Sequence, residues 1–265
     1  MFIAIDIGNT HTVIGSYTGE TLTTSIRVSS TSRLAKNKFG KYILSLLAKE
    51  GIDVKKIDGV GISSVVPNLT DFYSSLSKKM FHQDPLIVKA DLHLGIIVHY
   101  DNPKSVGADR LCNAVAGYTK YGGPLIIIDF GTATTYDIVA SNGDFLGGII
   151  APGIETSAAD LHKRTAKLPK VDLHLPKTII GTDTISNMQT GILWGAVDAM
   201  AGMVFRIQSE LQQVEAKKAL VIATGGFSKF VADHAKEIQY VEPSLVLDGI
   251  RLIYDRVHHK GKKSV

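Results

Sequence analysis

Asp6-Ile7-Gly8-Asn9-Thr10 and Asp129-Phe130-Gly131-Thr132-Ala133-Thr134-Thr135 are two copies of one pattern, and their recurrence decides the fold. Each closes an apolar run, Phe2 to Ile5 in the first case and Leu125 to Ile128 in the second. Each leads into a strand-like stretch (Thr12 to Tyr17; Thr135 to Ala140) and then a turn holding Gly and an acid, Gly19-Glu20 or Gly143-Asp144. The aspartates lie 123 positions apart (129 − 6), close to half of the 265 residues. This reads as one β-hairpin unit present twice. Either copy alone is about as readily an ordinary Asx-bonded turn. Two copies at half-chain spacing favour a pair of phosphate turns.

The residue types suit that chemistry. Gly8 and Gly131 lack a Cβ, so the backbone can turn tightly beside an anion. Successive turn N–H groups make a concave donor set. The hydroxyls of Thr10, Thr132, Thr134 and Thr135 offer more donors. Asp6 and Asp129 stand at strand ends, where a carboxylate can hold a cation or its waters beside phosphates.

Composition sets the bounds. The chain is long enough for one large domain or two small ones. Its 45% hydrophobic and 20% charged residues are ordinary for a globular protein. One cysteine, Cys112, excludes an internal disulfide framework and fits a reducing compartment, so a cytoplasmic location is expected. No signal peptide is read at the N-terminus. The apolar stretch Gly191 to Phe205 falls short of the ~18–20 residues of a membrane span and is expected to be a buried helix. Gly191, Gly195, Ala199 and Gly202 put small residues on one face of it, for a helix of this chain or of a second subunit. The net charge of +4 owes much to the basic tail His258 to Lys263, expected to be frayed. No aromatic platform or recognition helix accompanies it, so neither nucleic acid nor membrane is an expected partner. Histidine spacing gives no zinc site.

The turn cluster Tyr121-Gly122-Gly123-Pro124 marks the division, giving domains 1–121 and 122–265. Expected strands before it are Phe2–Asp6, Thr12–Tyr17, Thr21–Val28, Gly59–Ser63 and Leu86–Lys89. Expected helices are Lys38–Glu50, Asn68–Phe81 and Val106–Tyr121. Beyond it come strands Leu125–Asp129, Thr134–Val139, Phe145–Ala151 and Ala219–Ala223, with helices Gly153–Arg164, Thr184–Val214, Phe227–Ala235 and Leu245–Val257. Each half reads β-β-β-α-β-α, an α/β class with mixed sheets flanked by helices. Thr165 to Pro176 is expected to be a surface loop with a functional or interface role.

Two further segments bear on chemistry. Ala219 to Gly226 runs a buried strand into Thr-Gly-Gly and a helix, a junction able to admit a flat nucleoside, although taken alone it reads better as an ordinary strand-to-helix turn. No P-loop and no dinucleotide fingerprint occurs. Gly107-Ala108-Asp109-Arg110 opens a helix after the Asn102-Pro103 turn. An Asp there is commonly a helix-dipole partner, but a phosphotransferase also needs a carboxylate near the acceptor hydroxyl and a cation to spread charge.

With these residues in view, the chain resembles the superfamily of acetate and sugar kinases, heat-shock chaperones and actin. Over its full length it looks like a type III pantothenate kinase. The matching features are DIGNT at Asp6, Tyr100 with Asn102-Pro103, GADR at Gly107, DFGTATT at Asp129, the Gly147 to Gly153 segment, Gly181 to Thr184, and ATGG at Ala223. It departs at His11, where the family more often has Asn, and at Glu155-Thr156. The resemblance implies duplicated actin-like (ribonuclease H-like) domains with ATP in an interdomain cleft. It implies transfer of phosphate from ATP to pantothenate, the first committed step toward coenzyme A, with Asp109 accepting the hydroxyl proton. Tyr100, Gly107, Ala108, Asp109 and Arg110 would line the pantothenate pocket, and Thr184 would reach it from the second subunit of a homodimer. Asp6, Ile7, Gly8, Asn9, Thr10, His11, Thr12, Val13, Thr132, Gly225 and Gly226 would hold ATP with its magnesium. Asp129 would ligate a monovalent cation, potassium or ammonium. The competing readings are another small-molecule kinase of the superfamily and a non-catalytic accessory regulator.

Overall fold

The computed structural model describes residues 1–30 and 36–258; the basic tail beyond His258 lies outside the described residues. The chain divides into two compact units, one of Met1–Lys120 with the chain from Ser244 onward, the other of Tyr121–Pro243. The second unit begins at Tyr121. The return of the last segment to the first unit does not follow from the 122–265 boundary.

In the first unit, β1 (Phe2–Ile7), β2 (His11–Thr18) and β3 (Thr21–Ser29) form an antiparallel meander. Next come helix α1 (Lys36–Lys49), β4 (Gly59–Ser64), α2 (Pro67–Leu76), the two-residue β5 (Leu86–Ile87) and α3 (Ala108–Tyr121). β4 runs parallel to β1 and to β5, so the order is β3-β2-β1-β4-β5. The expected helix over 68–81 is α2 followed by a π-helical turn, Ser77–Phe81, closed by His82 in the left-handed region at φ 55°.

The second unit repeats the plan. β6 (Leu125–Phe130), β7 (Ala133–Val139) and β8 (Phe145–Pro152) form a meander. Helices α4 (Ile154–Arg164) and α5 (Thr184–Leu211), strand β9 (Leu220–Thr224), short helix α6 (Ser228–Ala232) and β10 (Tyr240–Val241) follow. β9 is parallel to β6 and to β10, giving β8-β7-β6-β9-β10. β10 was not legible in the sequence because it is only two residues long. The last helix, α7 (Leu245–His258), belongs to the first unit.

Strand alternation assigns the faces. Ile3, Ile5, Ile7, Val60 and Ile62 point to one face of the first sheet and pack with Phe39, Ile43, Leu47 and Tyr73 of α1 and α2. The opposite face receives α7. Side chains added at Gly15, Gly59 and Gly61 would run into Leu247, Tyr254 and Ile250, respectively, so these strand glycines make room for the helix. Gly249 meets the Cys112 backbone of α3 with no space for a Cβ. The Tyr17 hydroxyl, on a fully buried side chain, donates to Asp248 Oδ1 at 2.6 Å, and Ser244 donates to the other oxygen at 3.0 Å.

In the second unit, Ile126, Ile128, Val221 and Ala223 pack with the inward stripe of α5, from Met188 to Leu211. Asp183 caps α5, accepting from the Ile185 and Ser186 N–H groups at 2.9 and 3.0 Å. At 28 residues, α5 exceeds the apolar stretch Gly191 to Phe205, which Asp198 interrupts, and is, by length and composition, long and apolar enough to cross a membrane; its inward stripe nonetheless belongs to this core. Gly191, Gly195 and Gly202 face outward, with no atom of the chain within 4 Å of an added Cβ. The small-residue stripe therefore does not pack within the described chain. The segment 165–177 is tied down: Val171 is buried, Leu168, Leu173 and Leu175 pack on the core, and Gln189 Nε2 donates to Asp172 O at 2.8 Å.

Candidate active site

The first turn bridges Ile7 and Thr12 across four residues. Gly8 N–H donates to His11 O at 3.0 Å, so this amide is engaged within the turn and is not an outward donor. Gly8 and Gly131 both avoid the left-handed region. At Gly8 the need for glycine is one of clearance, since a Cβ would press on His11 O at 3.0 Å. Asn9 and Thr10 form the exposed tip. Arg27 donates to His11 Nδ1 at 2.9 Å. Thr12 is fully buried, its hydroxyl sharing a 2.9 Å hydrogen bond with Ser30, which turns it inward. Val13 pairs with Asp6 across the hairpin.

The second turn is one residue shorter, Phe130 pairing with Thr134. Gly131 N–H donates to Ala133 O at 3.1 Å. Gly131 and Thr132 are exposed, while Thr134 is buried. Helix α4 buttresses this turn from behind: Gly153 N–H and the Thr156 hydroxyl both donate to Thr132 O, at 3.2 and 2.6 Å. Gly153 sits so close to the carbonyls of Gly131 and Thr132 that no other residue fits. Gly225, at φ 87°, lies directly against Asp129 Oδ1 and the Phe130 backbone. The Thr-Gly-Gly junction thus reaches the Asp129 turn, with Gly226 exposed beside it. Among the described residues no cluster of three or more His, Cys, Asp or Glu could cage a metal. A half-buried Asp129 beside the exposed residues Gly131 and Thr132 fits a cation whose remaining ligands come with a phosphate.

Asp109 lies in the first turn of α3. Asn102 Oδ1 accepts from Lys104 N–H at 3.2 Å and caps a short 3-10 turn, Pro103–Ser105, that delivers the chain to Gly107. At Gly107 a Cβ would stand 2.5 Å from Asp109 Oδ1, so a larger residue there would displace the Asp109 carboxylate. Burial pushes the Asp109 carboxyl above the usual carboxylate range, against the opposing pull of the Arg110 N–H, which donates to Oδ1 at 2.8 Å, and of the Arg110 charge. Arg110 is buried at 6% exposure. One turn along, the Cys112 thiol is pushed up by burial and then by the charges of Asp6 and Asp109, and it shares a hydrogen bond with Ser63.

A cavity of about 660 Å³ opens at the C-terminal ends of β4 and β5; Ser64, Thr70, Lys89, Lys104, Gly107 and Ala108 are among its walls. Tyr100 is 38% exposed and does not line it. Thr184 opens α5 in the second unit and is exposed. Sequence reasoning missed Ser63, Thr156 and Thr224. Ser63 and Thr224 each stand in register opposite a turn aspartate, a signal visible only once the parallel pairing is known.

Two sheets of one topology, each carrying an Asp-x-Gly turn, define a protein of the actin-like fold class. Solved structures share the fold over nearly the whole chain. The activator of the 2-hydroxyisocaproyl-CoA dehydratase from Clostridium difficile, solved with bound ADPNP, matches at TM-score 0.52 and 12% identity, covering 100% of this chain and 98% of its own. The ethanolamine utilization protein EutJ from Carboxydothermus hydrogenoformans matches at TM-score 0.53 and 11% identity, covering 95% and 89%. Sequence resolves the family. The model of the type III pantothenate kinases matches residues 2–206. The type III pantothenate kinase of Moorella thermoacetica is 40% identical over 97% of this chain and 99% of its own, and that of Exiguobacterium sp. is 41% identical with the same coverage. The chain belongs to the type III pantothenate kinase family.

Proposed function

We propose that this protein transfers the terminal phosphoryl group of ATP to the primary hydroxyl of pantothenate, giving ADP and 4′-phosphopantothenate, the first step toward coenzyme A, in the cytoplasm. The observation that carries the reading is that Asp6 accepts from Ser63 at 3.0 Å while the next residue, Ser64, lines the cavity together with Gly107 and Ala108, the two residues before Asp109. A phosphate turn, a candidate base and a substrate-sized chamber thereby share one end of the first sheet.

Asp109 accepts the hydroxyl proton as the oxygen attacks phosphorus. The transition state is loose, so aligning that oxygen matters as much as removing its proton. Arg110 offsets charge beside it. Asp6 to Val13 and Thr132 hold the phosphates, and Gly225 and Gly226 receive the nucleoside. Magnesium bound to the nucleotide neutralises phosphate charge, and Asp129 takes a potassium or ammonium ion. Tyr100 and Thr184 complete the pantothenate site, Thr184 from the second subunit of a homodimer. The outward small-residue stripe of α5, continued by Phe205 at 73% exposure, supports that pairing.

The test is an assay of purified protein with ATP and pantothenate, with and without potassium, beside a panel of sugars. Pantothenate phosphorylation that depends on potassium and on Asp109 is expected. Phosphorylation of sugars but not pantothenate overturns the substrate; turnover undiminished in Asp109→Ala overturns the base.

A further inference from the structure

Both sheets place a buried hydroxyl at the same register point. Ser63 on β4 pairs with Asp6, and Thr224 on β9 pairs with Asp129. Their exposures are 0% and 2%. Little else is shared between the strands, which read Gly-Val-Gly-Ile-Ser-Ser and Leu-Val-Ile-Ala-Thr. In the first unit the contact is explicit: Ser63 Oγ donates to Asp6 Oδ1 at 3.0 Å. In the second, Asp129 Oδ1 lies against Gly225, the residue that follows Thr224, so the carboxylate is turned toward the end of β9.

We propose that Ser63 and Thr224 are positioning residues for the two turn carboxylates, each fixing one face of its aspartate so that the other stays aimed at the phosphate end of the nucleotide. The inference rests on the reading of the turns as the ATP site. A half-buried carboxylate at a strand end takes its orientation from the donors around it. The Ser63 hydroxyl on the parallel neighbour is one such donor to Asp6, and a donor to an ionised group is worth more than one between neutral groups. The simpler alternative, a hydroxyl kept only because a buried polar group needs a partner, does not explain why both sheets keep it opposite the same aspartate. It also makes a different prediction, since stability alone would then suffer.

The experiment compares wild type with Ser63→Ala, Thr224→Val and Thr224→Ser. Calorimetric affinity for MgATP is measured without pantothenate, alongside kcat, both KM values and thermal melting. Ser63→Ala and Thr224→Val are expected to weaken MgATP binding or raise its KM by about tenfold or more. The KM for pantothenate should stay within about twofold. Thr224→Ser, which keeps the hydroxyl, should remain near wild type. If Ser63→Ala and Thr224→Val lower the melting temperature but leave MgATP affinity and KM unchanged, the hydroxyls are structural only and the proposal falls. If Thr224→Ser is as impaired as Thr224→Val, the methyl matters rather than the hydroxyl, and the proposal falls for that turn. Because binding is read without the acceptor, failure of the pantothenate assignment shows separately, as wild-type MgATP binding without pantothenate turnover.

Discussion

The two sheets agree strand for strand in order and direction, yet their matched positions carry different residues. Where β4 has Gly59 and Gly61, β9 has Leu220 and Ile222; where β2 has Gly15, β7 has Asp137. The glycines belong to the sheet on which α7 lies, with Leu247, Ile250 and Tyr254 filling the space a side chain would need. The hairpins differ less: four residues bridge the strands in the first turn and three in the second. Repetition therefore preserved strand order and an Asp-x-Gly hairpin and let the sheet faces diverge with the helices that cover them. The segment that points to pantothenate, Gly107 to Arg110, lies outside the repeated hairpins.

That last contrast is broken most directly at Asp109. Asp109→Asn should lower kcat by roughly 10² to 10⁴-fold. Its carboxyl is raised above the ordinary 3.8 by burial, so the folded state holds the proton more tightly than the unfolded chain. Its contribution to stability is complete below the unfolded value and is lost as pH climbs through the raised folded value. Activity moves the other way, because the base must be ionised. Wild-type kcat/KM should thus fall as pH drops toward the raised value, and Asp109→Asn at neutral pH should melt no lower than wild type. A variant that is both inactive and markedly less stable would instead make Asp109 a scaffold residue.

The turns are compared next. Asp129→Asn should cut activity by roughly 10²-fold and abolish activation by potassium, read from rates across a potassium titration. Retained activation would move the cation elsewhere. The sheet faces follow. Gly61→Val should cost about 1–3 kcal/mol by overpacking against Ile250. At the matched position Ile222→Val should cost about 0.5–1.5 kcal/mol. Denaturant unfolding measures both, and a tolerated Gly61→Val would mean that α7 is not pressed on that face. The smallest effect is expected at His11→Asn, which loses the Arg27 contact at a turn tip. Its change in MgATP affinity should stay within about 0.5 kcal/mol.

Much of this was legible from residue order. The runs ending in Asp6 and Asp129 announce strands and turns, and their spacing announces the repeat. Boundaries of α1, α5 and α7 fall within a few residues of expectation. Other features were hidden for physical reasons. The place of α7 depends on shape complementarity with glycines more than 180 positions away. Ser63 and Thr224 acquire meaning only through parallel pairing, which local periodicity does not encode. The outward turn of the small-residue stripe could not be separated from inward packing, since spacing gives a face but not its direction. The segment 165–177 looked irregular because its anchoring is by isolated side chains, Val171 above all, without a repeating pattern.

The seating of α7 on the first sheet sets an order of completion during synthesis. The chain leaves the ribosome from its N-terminus, and small domains ordinarily close in that order. Here the middle segment, Tyr121–Pro243, holds all of its own strands before the final helix exists. The opening segment, although made first, waits with one apolar face and its glycine hollows uncovered until the last residues emerge. The part of the nascent protein carrying Asp6 and Asp109 thus matures after the middle segment, and a translation product stopped short of Leu245 would carry both acids on a half-covered sheet.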